Sequence, residues 1–181
     1  MTVIAAWADG TTVFMAADSC VEQNGTVWSA QKTVRMTTGD GKPFLLGWTG
    51  DRAAFGLVKH GLTVDLAPDP NDTEDCDQWA LTIAHAITEL CADATPAIVD
   101  HTSMAAQFLL AHAGRLWLLA TFEAMPIDGY MAIGTGRDAA LGALHAATSW
   151  GLSPEDAVNI AVEAGCAVDV NCRGPIQTVT L

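Results

Sequence analysis

The sequence predicts an α+β fold: a four-layer αββα sandwich, with two antiparallel sheets face to face and helices over both outer faces. Three observations point there. Short strands joined by turn signals fill residues 2–50. Blocks of strand period then alternate with pairs of helix-period segments, in the order strands, two helices, strands, two helices, strand. No Pro/Gly/Ser-rich linker or internal repeat interrupts the series, so one domain is expected over residues 1–181.

The elements follow in chain order. Thr2-Val-Ile-Ala-Ala-Trp-Ala8 reads as a strand, joined through Asp9-Gly10, a two-residue hairpin signal, to a strand over 11–17 that runs into Asp18. Residues 22–26 carry a turn signal, and a short strand is expected near Val27-Trp28. Lys32-Thr-Val-Arg-Met36 alternates as a strand; Thr38 to Lys42 is a turn; 43–48 is an apolar strand ending in Gly47-Trp48-Thr49-Gly50. Asp51 is placed to cap a helix over 52–60 and Gly61 to end it. Acidic, Pro-containing residues 65–75 read as a loop. Asp75 and Gln78 form a capping-box-like pair ahead of a helix over 76–93, which carries Trp79, Ile83, Ile87 and Leu90 and ends near Ala94, before Pro96. Strands 106–112 and 115–122 meet at Ala113-Gly114. Asp128-Gly129 turns into a buried strand at 130–133, and Gly134-Thr135-Gly136 opens a helix to about Trp150. Ser153-Pro154-Glu155-Asp156 combines an N-cap, a proline at the first helical position and acids facing the helix dipole, and starts a helix to about Ala167. A strand over 175–181 closes the series.

Composition narrows the function. The net charge is −13, with only 8 Lys and Arg, which argues against nucleic-acid or anionic-membrane partners. Half the residues are hydrophobic, enough for a sizeable core. The five cysteines (20, 76, 91, 166, 172) are irregularly spaced with no CxxC pair, and read as reduced thiols. His60, His85, His101, His112 and His145 share no ligand spacing, so no metal is expected, and no cofactor either. Gly134-Thr135-Gly136 lacks the lysine of a phosphate loop. Neither a signal-peptide pattern nor a long apolar run is evident, and the expected localisation is cytoplasmic.

The chemistry is organised around the N-terminus. Thr2 follows Met1 directly and is small enough for methionine removal, which would place a hydroxyl and an α-amine on one residue. An α-amine has a pKa of about 8 and serves as a general base for its own hydroxyl. Taken singly, Asp18 also reads as a strand-end cap, Lys32 as a solvated strand residue and Gly47 as a turn. Jointly, the order and spacing of several motifs resemble the proteasome β-subunit family of N-terminal-nucleophile (Ntn) hydrolases over nearly the whole chain. The motifs are Thr2 opening the first strand, Asp18 ending the second, Lys32 in Lys-Thr-Val-Arg-Met, Leu46-Gly47-Trp48-Thr49-Gly50-Asp51, Ala132-Ile-Gly-Thr-Gly136 and Asp169-Val-Asn-Cys-Arg-Gly174.

That resemblance implies a catalytic set of Thr2, Asp18 and Lys32, an oxyanion-binding N–H at Gly47, and a supporting shell of Thr135, Asp169 and Cys172. It implies a primary specificity pocket lined by Val21, Ala30, Val34, Leu45, Thr49 and Ala53, all uncharged, with Leu45 limiting depth and cleavage after apolar residues of modest size. The sequence departs from the family in Val3 after Thr2, in Cys172 for a serine and in Arg173 for a glycine. The resemblance further implies a threonine peptidase within stacked hexameric or heptameric homo-oligomeric rings, acting on peptide or unfolded protein, with a separate ATPase unfoldase as a possible partner. With no long propeptide before Thr2, the closest likeness is to the bacterial heat-shock-locus peptidase. Two rivals stay open: a non-catalytic assembly or scaffold protein, such as one in a virus particle, and a non-peptidase amidohydrolase.

Overall fold

The computed structural model describes residues 2–23, 25–94 and 104–181; Met1, Pro96 and His101 lie outside them. Strands β1 (Val3–Ala8), β2 (Val13–Ala17), β10 (Tyr130–Gly134) and β11 (Gln177–Thr180) form one antiparallel sheet in the order β10-β1-β2-β11. Strands β5 (Thr33–Thr37), β6 (Pro43–Gly50), β7 (Ala106–His112), β8 (Arg115–Ala120) and β9 (Glu123–Ile127) form the second, in sequential order. A separate ribbon pairs β3 (Cys20–Gln23) with β4 (Thr26–Ser29). The helices are α1 (Arg52–Gly61), α2 (Thr73–Ala94), α3 (Arg137–Ser149) and α4 (Pro154–Val168).

The period-2 alternation of the strands builds the layers. On β1, Val3 and Ala5 point into a cluster with Ala140, Leu144, Val158 and Val162 of α3 and α4. Ile4 and Ala6 point the other way, against Leu45, Leu109, Leu116 and Leu118 of the second sheet. On β6, Leu46 and Trp48 turn outward onto Ala54, Phe55, Trp79 and Ile83 of α1 and α2. Four layers result, αββα, as the sequence predicts. Helix α4 sits close on β1 because Gly165 faces it: a Cβ there would stand 2.7 Å from Val3 Cγ2. Long α2 is amphipathic, burying Cys76, Trp79, Ala80, Ile83, Ala84, Ile87 and Cys91 at spacings of three and four.

Several expectations need correction. Asp9-Gly10 is part of a four-residue connection: β1 and β2 pair Ala8 with Val13, and Asp9 folds back to accept from the N–H groups of Thr11 and Thr12. Such an Asx turn spans more residues than a two-residue hairpin. The α2 cap is Asp72, whose carboxylate accepts from Glu74 and Asp75 N–H (3.0 and 3.1 Å), and Asp75 lies inside the first turn. Gly61 is the last residue of α1, with Leu62 as the C-cap. The ribbon strand β3 occupies part of the expected turn at 22–26, and β9 was not expected at all. The capping roles of Asp51 and Ser153 hold, through Ala53 N–H and Asp156 N–H.

Candidate active site

The residue that follows β2 is an acid turned inward. Asp18 is fully buried, and its carboxylate collects bonds from three parts of the chain. Oδ1 accepts from Val3 N–H (2.9 Å), and Oδ2 from Cys20 N–H (3.1 Å) and Arg173 N–H (3.3 Å). Lys32, just before β5, reaches both oxygens with Nζ at 2.8 and 2.9 Å. The lysine is 1% exposed and Asp18 0%, a depth at which lysine occurs only when paired. Thr2, buried at the start of β1, lines with Lys32 a cavity of about 360 Å³.

Thr2 is held from the opposite side by the segment after β10. Its N–H approaches Thr135 Oγ1 at 3.4 Å, and its carbonyl accepts from Gly136 N–H at 3.4 Å. Gly134 packs directly on the Thr2 carbonyl, where a side chain would collide. Thr135 Oγ1 lies 3.8 Å from Cys172 Sγ, which donates to Asp169 Oδ2 at 3.4 Å. The Thr135 hydroxyl, followed by Asn171 N–H, holds the Asp169 carboxyl down at about 2. Burial pushes the Cys172 thiol up to about 12, so it stays protonated and serves as a donor. Arg173, which stands where the resembled family has a glycine, has no positive φ and contributes its N–H to Asp18. The predicted residues Thr2, Asp18, Lys32, Thr135, Asp169 and Cys172 therefore form one contiguous cluster.

Gly47 does not join it. A Cβ on Gly47 would meet Met15 Sδ at 2.7 Å and Ile4, so this glycine serves the close approach of the two sheets. Strand parity gives the same answer. Trp48 N–H donates to Lys32 O (3.0 Å), and Asp51 N–H to Ala105 O (2.8 Å). Backbone N–H groups alternate along a strand, so Gly47 N–H faces β7. Gly50 N–H faces the Lys32 side, beyond the first residue of β5. Gly50 lines the Thr2 cavity with φ +103, a conformation that favours glycine. Of the two glycines of this motif, Gly50 and not Gly47 borders the Thr2 cavity.

The expected specificity lining needs a similar correction. Val21 and Ala53 line the cavity. Leu45 does not: it is buried between the sheets, because it shares the inward face of β6 with Gly47. Val34 packs on the α1–α2 core, and Thr49 opens on a neighbouring groove. Ala30 lies just outside β4 and donates to Ser19 O. What sequence reasoning missed is the polar share of the wall: Glu22, Asp51 and Arg52, with Trp48 at the inner side. Trp48 stacks on Phe55 (4.7 Å between centroids), and Arg52 lies over Trp28 at 5.2 Å. The signal was the parity of Trp48 and Leu45, which a register fixed by the β6–β7 pairing would have settled. Among the described residues no group of three or more His, Cys, Asp or Glu side chains is placed to hold a metal, and no helix is long and apolar enough to cross a membrane.

No protein-family model and no curated protein matches the sequence. Solved structures do. The chain is similar to Thiobacillus denitrificans BPH in complex with epoxomicin, at 19% identity and TM-score 0.74, covering 99% of this chain and 98% of that one. It is similar to the eukaryotic HslV of Trypanosoma brucei, at 18% identity and TM-score 0.68, covering 99% of both chains. It is similar to a subunit of the helical assembly of the Anbu complex from Pseudomonas aeruginosa, at 12% identity and TM-score 0.73, covering 100% of this chain and 81% of that one. The structural neighbours are thus HslV-like and Anbu subunits of proteasome type, and the chain has the proteasome-like Ntn-hydrolase fold.

Proposed function

We propose that the chain is a threonine-type peptidase that works within a homo-oligomeric, ring-like compartment, with Thr2 as nucleophile once Met1 is removed. The observation that carries this reading is the fully buried Lys32–Asp18 pair beside Thr2. A buried ion pair adds little or nothing to stability compared with apolar side chains of the same volume. Placed at a threonine that can carry a free amine, it has a chemical use.

The steps balance without a cofactor. The α-amine takes the Thr2 hydroxyl proton as Oγ1 attacks the scissile carbonyl carbon, and the Lys32 ammonium lowers the cost of the developing alkoxide. The oxyanion accepts from Gly50 N–H, a kind of contact whose loss typically costs about 10²–10³ in kcat. Collapse breaks the C–N bond, the α-ammonium returns its proton to the leaving nitrogen, and an ester on Thr2 remains. Water, deprotonated by the same amine, then releases the acid. The substrate is a peptide or unfolded protein, and the charged cavity wall at Glu22, Asp51 and Arg52 admits a polar side chain beside the apolar ones first expected. A ring assembly and a separate ATPase unfoldase belong to this reading by fold analogy.

The test is the mass of the N-terminal peptide from protein made in its native host, with and without an epoxyketone such as epoxomicin. Loss of Met1, an adduct on Thr2, and loss of both adduct and hydrolysis in Thr2→Ala are expected, with partial activity in Thr2→Ser. A retained Met1 without adduct overturns the proposal in favour of a scaffold.

A further inference from the structure

A second groove adjoins the Thr2 cavity and shares Gly50 with it. It is lined by Thr49, Gly50, Met104, Ala105, Gln107 and Thr135, and measures about 310 Å³. Unlike the first cavity, whose wall includes Glu22, Lys32, Asp51 and Arg52, it has no charged residue among the described residues of its lining. One wall is fixed to the site by backbone: Asp51 N–H donates to Ala105 O at 2.8 Å, and Gly50 packs on Ala105 and Ala106 so closely that no side chain fits there. The opposite wall is Gly134-Thr135, the segment that contacts the Thr2 nitrogen.

This placement, together with the peptidase reading on which it rests, assigns a direction to the substrate. The group that protonates the leaving nitrogen is the Thr2 α-amine, so the leaving half must depart on the side that amine faces. Thr2 N is directed at Thr135, on the groove side, while Lys32 and the charged wall lie on the cavity side. We infer that the groove between Ala105 and Thr135 is the leaving-group subsite. It receives the residues that follow the scissile bond, and it favours small to medium apolar side chains there. The acyl half occupies the Val21–Glu22–Arg52–Ala53 cavity. Gln107, half-buried on the groove wall, offers an amide to the backbone of the leaving segment.

Two measurements test the assignment. The first uses substrates with one common acyl half: a peptide methyl ester, whose leaving group needs no subsite, and peptides continuing past the cut with two leucines or two aspartates. Wild type is expected to prefer the leucine over the aspartate extension at least tenfold in kcat/KM. Ala105 is exposed, so Ala105→Trp fills the groove from outside the core and is expected to lower the leucine-peptide to ester ratio at least tenfold. The second needs no variant. The acyl-enzyme formed from the ester is partitioned between water and added leucinamide or aspartic acid diamide, with saturation expected for leucinamide alone. Ester turnover with an unchanged ratio in Ala105→Trp, or no saturation by leucinamide, overturns the groove assignment and leaves the peptidase reading standing. Absence of ester turnover in wild type freed of Met1 overturns both.

Discussion

Replacing Lys32 by methionine isolates the electrostatics of the site, because the new side chain keeps most of the lysine stem and removes the ammonium. It leaves the Asp18 carboxylate at 0% exposure, with three backbone donors at 2.9, 3.1 and 3.3 Å. Removing one partner of a buried ion pair costs about 3–5 kcal/mol. The three remaining N–H groups still solvate the charge, which sets the loss at the low end, about 3 kcal/mol. At about 2–4 °C per kcal/mol for a chain of this size, the melting temperature should fall by about 6–12 °C. Calorimetric or circular-dichroism melts of wild type, Lys32→Met, Asp18→Asn and the double variant complete a cycle. The double variant should be less destabilised than the sum of the singles by about 2 kcal/mol. A drop below about 2 °C together with additive singles would refute the reasoning, since the pair would then carry no buried electrostatic coupling. In protein freed of Met1, Lys32→Met should also lose hydrolysis nearly as fully as Thr2→Ala, since residues that act as a unit fail together.

Asp169 has a depressed folded pKa of about 2 against an ordinary 3.8, so its contribution is fully present above the unfolded value and is lost as pH falls from about 5 to about 2; Thr135→Val should move its midpoint upward in an NMR titration. Gly10 and Gly50 both have positive φ, but a Cβ at Gly10 meets nothing within 4 Å while one at Gly50 meets the Ala105 carbonyl. Gly10→Ala should therefore cost about 1 kcal/mol, and Gly50→Ala several times more together with activity, read by chemical denaturation and ester hydrolysis. Cys172→Ser should retain or improve hydrolysis, as a hydroxyl donates to Asp169 at least as well as the thiol. Native Cys172 should resist iodoacetamide at pH 8, since its thiol sits at about 12.

The fold was legible because each layer has its own period. Alternation in Val3-Ile4-Ala5-Ala6, the three-four spacing of α2 and the Ser153-Pro154 cap are local signals, and each survives in the structure. The cluster of Thr2, Asp18, Lys32, Thr135, Asp169 and Cys172 was legible through motif order. Gly47 and Leu45 lie between the sheets and outside the cavity lining, against expectation, for one shared physical reason. Which face of β6 each residue takes is decided by pairing with β7, sixty residues on, and a shift of one position exchanges the sheet interface for the helix side. Asp72 escaped notice because Asp69, Asp72, Glu74 and Asp75 all lie ahead of or within the first turn, and only the fold shows which carboxylate meets the free N–H groups. The polar wall was missed because β3 was read as a turn, which left Glu22 without a place.

The bonds gathered by Asp18 also bear on when the site comes into being during synthesis. Its donors are Val3, Cys20, Lys32 and Arg173, and the last is 155 positions away. Contacts of that separation form late, after most of the chain has left the ribosome and folded. Until the Arg173 segment docks, the carboxylate lacks one donor, and the Asp169–Cys172 shell that supports Thr135 is absent from the Thr2 amine. A partly made chain therefore carries Thr2 without these surroundings. In the proposed peptidase the Thr2 hydroxyl would gain these surroundings only once the segment at 169–173 has docked, in a subunit that has already buried most of its own peptide bonds.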